Sequence, residues 1–409
     1  MMPIKKKIFL ITALFYILYL VFPLFADTFN IPVWLPSMVA VAVMVILYPQ
    51  AFANRTFYWF LVYAMVLGLY IIVGKRLTIG IGSLADSKKI FIEFAYISPT
   101  ISIFSILCYL DDYEVTRRLV RWSMVILFVS FIITVPLMLR YNSIREALSK
   151  QDETFTVPGL PGYSLMHAYT LFLPVLCYAA KVNQGWKKWL AIIGLGVLCF
   201  VIYDTFVTTS LLVMIAVVLF TVFYTPRNTA IFLVIATLLV LVVYVLYQFG
   251  FFITLFDWIM PAFEGTAVEP KLLDFKDSML QEQVTGGSIT GRQNLHAISW
   301  HSFFQNPFFG TSVVGGHSSL IDRFGGMGFI AGLPFVMIFV SFIKRMVKLY
   351  ETKMAKVFFW IGTISAFLFL YQKGNWGCEA WLMYMVLMPM GIMVFEQQSL
   401  GQKSINNEQ

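Results

Sequence analysis

The stretch GMGFIAGLPFVMIFVSFI, residues 326–343, carries no charged side chain and stops against Lys344-Arg345. Crossing the roughly 30 Å hydrocarbon core of a bilayer takes about 20 apolar residues in a helix. The stretch therefore reads as a transmembrane helix held in register by cations in the water phase. Comparable runs fall near 8–26, 31–49, 57–74, 90–110, 119–139, 164–180, 189–205, 207–225, 229–249, 356–372 and 377–395, which with the first makes twelve expected spans. The composition agrees. Of 409 residues, 59% are hydrophobic and 12% charged, against about 45–50% and about 25% in soluble domains. So little charge cannot cover a water-facing surface of this size, which excludes a soluble multidomain enzyme, and so much apolar surface excludes a disordered chain. The first run follows Lys5-Lys6-Lys7 but is too long for a signal peptide and has no small-residue cleavage site, so it reads as a retained span.

The expected fold is all-α: a polytopic transmembrane helix bundle forming a single integral membrane domain over 1–409. Basic residues orient it. If the N-terminus is cytoplasmic, 17 of the 29 Lys and Arg residues fall in short loops on that side: Lys5–Lys7, Arg55, Arg117, Arg118, Arg121, Lys181, Lys187, Lys188, Arg227, Lys344 to Lys356, and Lys403. The positive-inside rule then puts both termini in the cytoplasm. Two long segments lie outside, 140–163 and roughly 250–325, and loops of that length usually carry function. Phe251–Phe263 is apolar and aromatic and is expected to lie along the membrane interface. No internal repeat is visible, which argues against a transporter built from two similar halves.

The four cysteines (Cys108, Cys177, Cys199, Cys378) sit in or beside apolar runs without paired spacing, against both a disulfide framework and a zinc site. Within the spans, Glu93 and Glu379 fall near the outer interface, where snorkelling to water is expected. No chain of mid-membrane Asp, Glu or Arg appears, as energised transport would need. The external segments are richer. The first holds Arg140, Arg145 and Lys150, then Pro158-Gly159-Leu160-Pro161-Gly162 leading to Ser164 and His167. The second holds Gly291-Arg292, Asn306-Pro307-Phe308-Phe309-Gly310, Gly315-Gly316-His317-Ser318-Ser319, Asp322-Arg323 and Gly325-Gly326-Met327-Gly328. Turn signals bound a helix-like stretch from about 291 to 305, on which Arg292, His296 and Trp300 share a face. An Arg above a membrane is suited to gripping a phosphate bidentately. Trp300, Trp376 and Trp381 read mainly as interface anchors.

Gly291-Arg292, Asn306-Pro307 starting fourteen residues after the Arg, Gly310 at eighteen, and then His317 ahead of Gly326-Met327-Gly328 together resemble the conserved block of the O-antigen polymerase and O-antigen ligase superfamily. The motif resemblance covers about 291–328; the span count and the two external loops are similar over the whole length. Two positions depart from the pattern: Ser318 stands where many members have Asn after the His, and His296 where many have Trp.

The resemblance implies a GT-C-like fold and an inverting, metal-independent glycosyltransferase without cofactors. It would sit in the bacterial cytoplasmic (inner) membrane with its active site on the external face. Donor and acceptor would be undecaprenyl-pyrophosphate-linked oligosaccharides, with the lipid bilayer, a chain-length regulator protein and no nucleic acid as further partners. The bottom-up parts list is similar. A pyrophosphate leaving group needs fixed cations aimed at developing charge. No Asp-x-Asp motif stands in the external loops, so Arg292 is the first choice, Arg140 or Arg145 the second clamp, and Arg323 a third. A sugar hydroxyl must lose a proton, and His317 is the natural general base, histidine titrating ordinarily near about 6.5. Glu379 would replace or orient it; His167 and His301 are further candidates. The Gly-Gly-His-Ser-Ser variant resembles capsule and surface-polysaccharide polymerases more than ligases, which favours a polymerase of capsule or lipopolysaccharide (O-antigen) biosynthesis. The alternatives are an O-antigen ligase, a lipid-linked oligosaccharide flippase and a non-catalytic assembly protein.

Overall fold

A computed structural model of the chain describes residues 2–29, 31–77, 87–140, 162–205, 207–225, 245–246, 250–264, 288–311, 313–372 and 376–407, with the isolated positions 269, 273 and 276. Among the described residues the protein is helical throughout and has no strand. Strongly apolar segments have no water to satisfy their backbone, and the helix satisfies each peptide within its own segment. The helices are α1 (Ile4–Val21), α2 (Pro23–Phe29), α3 (Trp34–Leu47), α4 (Arg55–Leu77), α5 (Ser87–Leu110), α6 (Tyr113–Met138), α7 (Tyr163–Val182), α8 (Gly185–Asp204), α9 (Thr208–Phe223), α10 (Phe251–Ile259), α11 (Ser288–Gln305), α12 (Ile321–Leu349), α13 (Lys353–Gln372), α14 (Cys378–Leu382) and α15 (Met388–Asn407). A π-helical turn, Met383–Leu387, joins the last two.

Helix stands at eleven of the twelve expected span positions; the run 229–249 lies outside the described residues except at 245 and 246. Among the described residues seven helices are long and apolar enough to cross a membrane: Glu93–Leu110 of α5, then α6, α7, α8, α12, α13 and the composite Cys378–Gly401. The chain is thus an all-helical, multi-pass membrane protein. Trp34–Leu47 and Thr209–Phe223 are apolar but shorter, and α1 includes the three lysines Lys5–Lys7 among its 18 residues.

Burial sorts these helices into a core and a rim. α7 and the composite C-terminal helix are enclosed, with 78% and 83% of their apolar windows buried, whereas α8 and α6 have only 22% and 33% buried. The rim helices turn bulky apolar side chains such as Trp189, Ile193 and Phe128 outward, as lipid-facing surfaces require. α7 packs against α8, α9, α13, α14 and α15. Trp376 and Trp381, expected as interface anchors, are instead buried against Phe339 and Tyr384. Expected to lie along the membrane interface, α10 has no residue buried in the protein.

The bundle has two chemically distinct ends. At one end the Lys6 ammonium meets Asp112 in the α5–α6 turn, Asn54 before α4 donates to Ser105 at 2.9 Å, and Thr352 after α12 donates to Glu396 at 2.6 Å. Lys5–Lys7, Arg55, Arg117, Arg118 and Lys344 to Lys356 belong to this basic end. Asp112 caps α6, accepting from the Glu114 and Val115 amides at 2.9 and 3.2 Å. The opposite end gathers the starts of α5, α7, α12 and α14, the ends of α4 and α13, and all of α11.

Candidate functional site

Three of the glycine-bearing motifs meet in one structural unit, in which α11 packs on the start of α12. Asn306-Pro307 ends α11. The chain then turns back, with the Thr311 amide donating to Gly325 O at 2.8 Å and the Phe329 amide to Pro307 O at 2.8 Å. Gly328 lies in the left-handed region at φ 59° inside α12, and a Cβ there would collide with the Phe308 backbone. At Gly315 a Cβ would strike the backbone of Leu295 on α11. Both positions need a residue without a side chain.

Hydrogen bonds then lock the segment that carries His317. The Ser318 hydroxyl accepts from the Ile321 amide at 3.1 Å and donates to Leu370 O at 3.3 Å, while the Asp322 carboxylate accepts the Ser318 amide at 2.9 Å. Side chain to the amide three residues on, and acid back to the cap's own amide, is the reciprocal logic of a capping box with one extra residue. The second oxygen of Asp322 accepts from Ser299 on α11 at 2.5 Å, and Ser299 accepts the Gly315 amide at 2.8 Å. Asp322, Ser299 and Ser318 are all buried. His317, half-buried, therefore sits between a close backbone contact and a helix cap. Ser318, the departure from the resembled pattern, is the residue that makes the cap.

Arg323 is held elsewhere. Its guanidinium pairs with Glu93, donates from Nε to Tyr63 Oη at 2.8 Å and lies 4.2 Å from the centroid of the Phe335 ring. Tyr63 donates in turn to Glu93 at 2.6 Å. The side chains are only 10% and 20% exposed for Arg323 and Glu93, so this is a neutralised pair tying α12 to α4 and α5. Glu93 does not snorkel alone to water as expected; it turns to Arg323. Nearby, Tyr70 on α4 bonds both Phe309 O and Met327 O at 3.0 Å.

Glu379, at the start of α14, accepts from Ser164 at the start of α7 at 2.6 Å. Glu379 is half-buried, and Tyr16, Tyr96 and Tyr169 lie within electrostatic reach of it. One turn after Ser164, His167 is buried, with Nδ1 3.0 Å from Ser210 Oγ and its ring 4.5 Å from that of Phe369. His296 on α11 packs edge-on against Tyr371, next to Leu370.

The expected site residues thus fall into three groups. Brought to one end of the bundle are His317, Glu379, His167, Arg323 and the helix bearing Arg292. Arg292 stands one turn before Leu295, which touches Gly315; the Arg292 side chain is outside the described set. Arg140 is exposed just past the end of α6, and Arg145, Lys150 and the rest of 141–161, expected as the first external loop, lie outside the described residues. His301 faces outward, 2.9 Å from Gln305. Ser299 went unnoticed in the sequence and Asp322 was given no role there, although the Ser318-x-x-x-Asp322 spacing was a signal for the cap. Among the described residues no three His, Cys, Asp or Glu side chains converge as metal ligands would. The arrangement offers an imidazole on a rigid mount, a carboxylate bonded to a serine hydroxyl and an arginine-bearing helix at the same end. No known protein-family model matches the sequence, and no curated protein matches it significantly.

Proposed function

We propose that the chain is a membrane glycosyltransferase that polymerises undecaprenyl-pyrophosphate-linked oligosaccharide repeat units into a surface polysaccharide. What carries the reading is the backbone contact of Leu295 with Gly315: one helical turn, about 5.4 Å, parts it from Arg292, and two residues part it from His317. A cation and a base on either side of one contact match the two needs of glycosyl transfer from a pyrophosphate. The acceptor hydroxyl oxygen attacks the anomeric carbon and its proton passes to His317. The bond from that carbon to the pyrophosphate oxygen breaks with inversion, and Arg292 meets the charge left on the leaving group. Arg140 or Arg145 supplies the second clamp, and Glu379 with Ser164 orients the base or a sugar hydroxyl. Arg323, already neutralised by Glu93, holds the scaffold under the site.

In this reading the bundle is GT-C-like with twelve spans. The basic end and both termini are cytoplasmic, and the site opens on the external face of the bacterial inner membrane. Deleting the gene and resolving the surface glycan by electrophoresis tests the assignment. Single repeat units on the final carrier are expected. Lipid-linked polymer that is never transferred would make the protein a ligase, and repeat units trapped inside the cell would make it a flippase; either result overturns the polymerase.

A further inference from the structure

The basic end holds a cavity of about 840 Å³, far from His317 and Glu379. Its walls come from the turn before α4, the first two turns of α4, the last two turns of α5 and the last four turns of α12. Four cations line it, Arg55, Lys344, Arg345 and Lys348, and no carboxylate does. None of the four enters an ion pair among the described residues. Asp111 and Asp112 lie beyond Arg345, in a small adjoining cavity, and Asp112 is engaged by Lys6. All four are exposed, so water screens part of their mutual repulsion, and a bound anion among them would relieve the rest. The floor is apolar and buried, at Phe104 and Ala51. At the mouth, Tyr58 and Tyr109 are 59% and 51% exposed, in the position of aromatic residues that meet lipid headgroups. The size is that of a ligand pocket, which runs to about 300–1,000 Å³, and cationic pockets between membrane helices are suited to phosphate headgroups.

We propose that this cavity binds the phosphate of an anionic lipid from the leaflet on the basic side. Arg55, at the first position of α4, and the α12 cations close on the headgroup from opposite walls. The lipid tail leaves past Tyr58 and Tyr109. The chemistry is that of a phosphate anion, and the cavity's apolar floor and aromatic mouth favour a lipid-borne phosphate over a free one. This site stands apart from the proposed transferase chemistry and does not depend on it.

The test uses the full chain in phosphatidylcholine nanodiscs with a photoactivatable phosphatidic acid, the cross-links being mapped by peptide mass spectrometry. Label is expected on the first turns of α4 and the last turns of α12. Lys344→Gln with Arg345→Gln should lower labelling about fivefold for each charge removed. The charge-preserving pair Lys344→Arg with Arg345→Lys should keep it, and Lys187→Gln with Lys188→Gln, on the same end but outside the cavity, should leave it unchanged. Label spread evenly over the protein, or untouched by the first pair, overturns the site. Inorganic phosphate that competes as well as unlabelled phosphatidic acid overturns the lipid form and assigns the cavity to a soluble phosphate.

Discussion

Arg323 and Arg345 sit near opposite ends of one helix, α12, and are used in opposite ways. Arg323 is buried and meets Glu93, Tyr63 and the face of Phe335. Arg345 is exposed, with Lys344 and Lys348 beside it and no acid lining the larger of the two cavities it borders. A charge neutralised within the fold is part of the scaffold and has no field left for a ligand. One without an ion-pair partner among the described residues keeps most of its field for something outside the chain. The same contrast separates the two ends of the bundle. The site end is tied by glycine contacts and buried hydrogen bonds, and the basic end by a few pairs near water.

The largest effect should come from breaking the internal pair. Arg323→Met leaves the largely enclosed Glu93 without its cation and is expected to lower stability by about 3 kcal/mol. Adding Glu93→Gln should recover much of that, measured by thermal unfolding in detergent. Equal losses in the single and double variants would break the contrast. Next comes Gly328→Ala, which puts a methyl group into the Phe308 backbone at a φ of 59°. A loss of about 1–3 kcal/mol is expected, with polymer formation lost as well. Circular dichroism melts beside an activity assay would separate stability from activity.

At the basic end the effects shrink. Asp112 contributes a helix cap and the Lys6 pair, so Asp112→Ala should cost roughly 1 kcal/mol. The Lys6 ammonium, followed by the Val115 and Glu114 amides, holds the Asp112 carboxyl below the usual carboxylate range. Its contribution is therefore complete above about pH 4 and fades as pH falls through the depressed value. Melts of the wild type and Asp112→Ala should differ at neutral pH and converge in acid. Smallest of all, Lys344→Gln with Arg345→Gln should change stability by less than about 0.5 kcal/mol, although it strips the cavity of two charges. A large loss there would mean those cations serve the fold after all.

Much of the fold was legible because lipid imposes a simple rule. An apolar run of membrane length becomes a helix, and eleven of the expected twelve positions carry one. Burial within the bundle was less legible. Trp376 and Trp381 look like interface anchors in a sequence, and only packing against Phe339 reveals them as core. In the site, the order Arg292, Gly315-Gly316-His317, Gly328 could be read, since glycines mark places where backbones touch. The pairing of Arg323 could not, because Glu93 lies 230 residues away and nothing local announces it. Ser318 stood in the sequence as a departure from the resembled pattern, and its role as a cap needed Asp322 and Leu370 in place beside it.

The central claim is that His317 and the α11 arginine act on one reacting centre. It is tested most directly by reconstituting the purified chain with an undecaprenyl-pyrophosphate-linked repeat unit and resolving the products by size. The wild type should give a ladder of lengthening glycans with release of undecaprenyl pyrophosphate. His317→Ala and Arg292→Ala, folded and inserted as the wild type is, should each cut its rate by about 10²-fold or more. A ladder of wild-type rate from either variant would contradict the account.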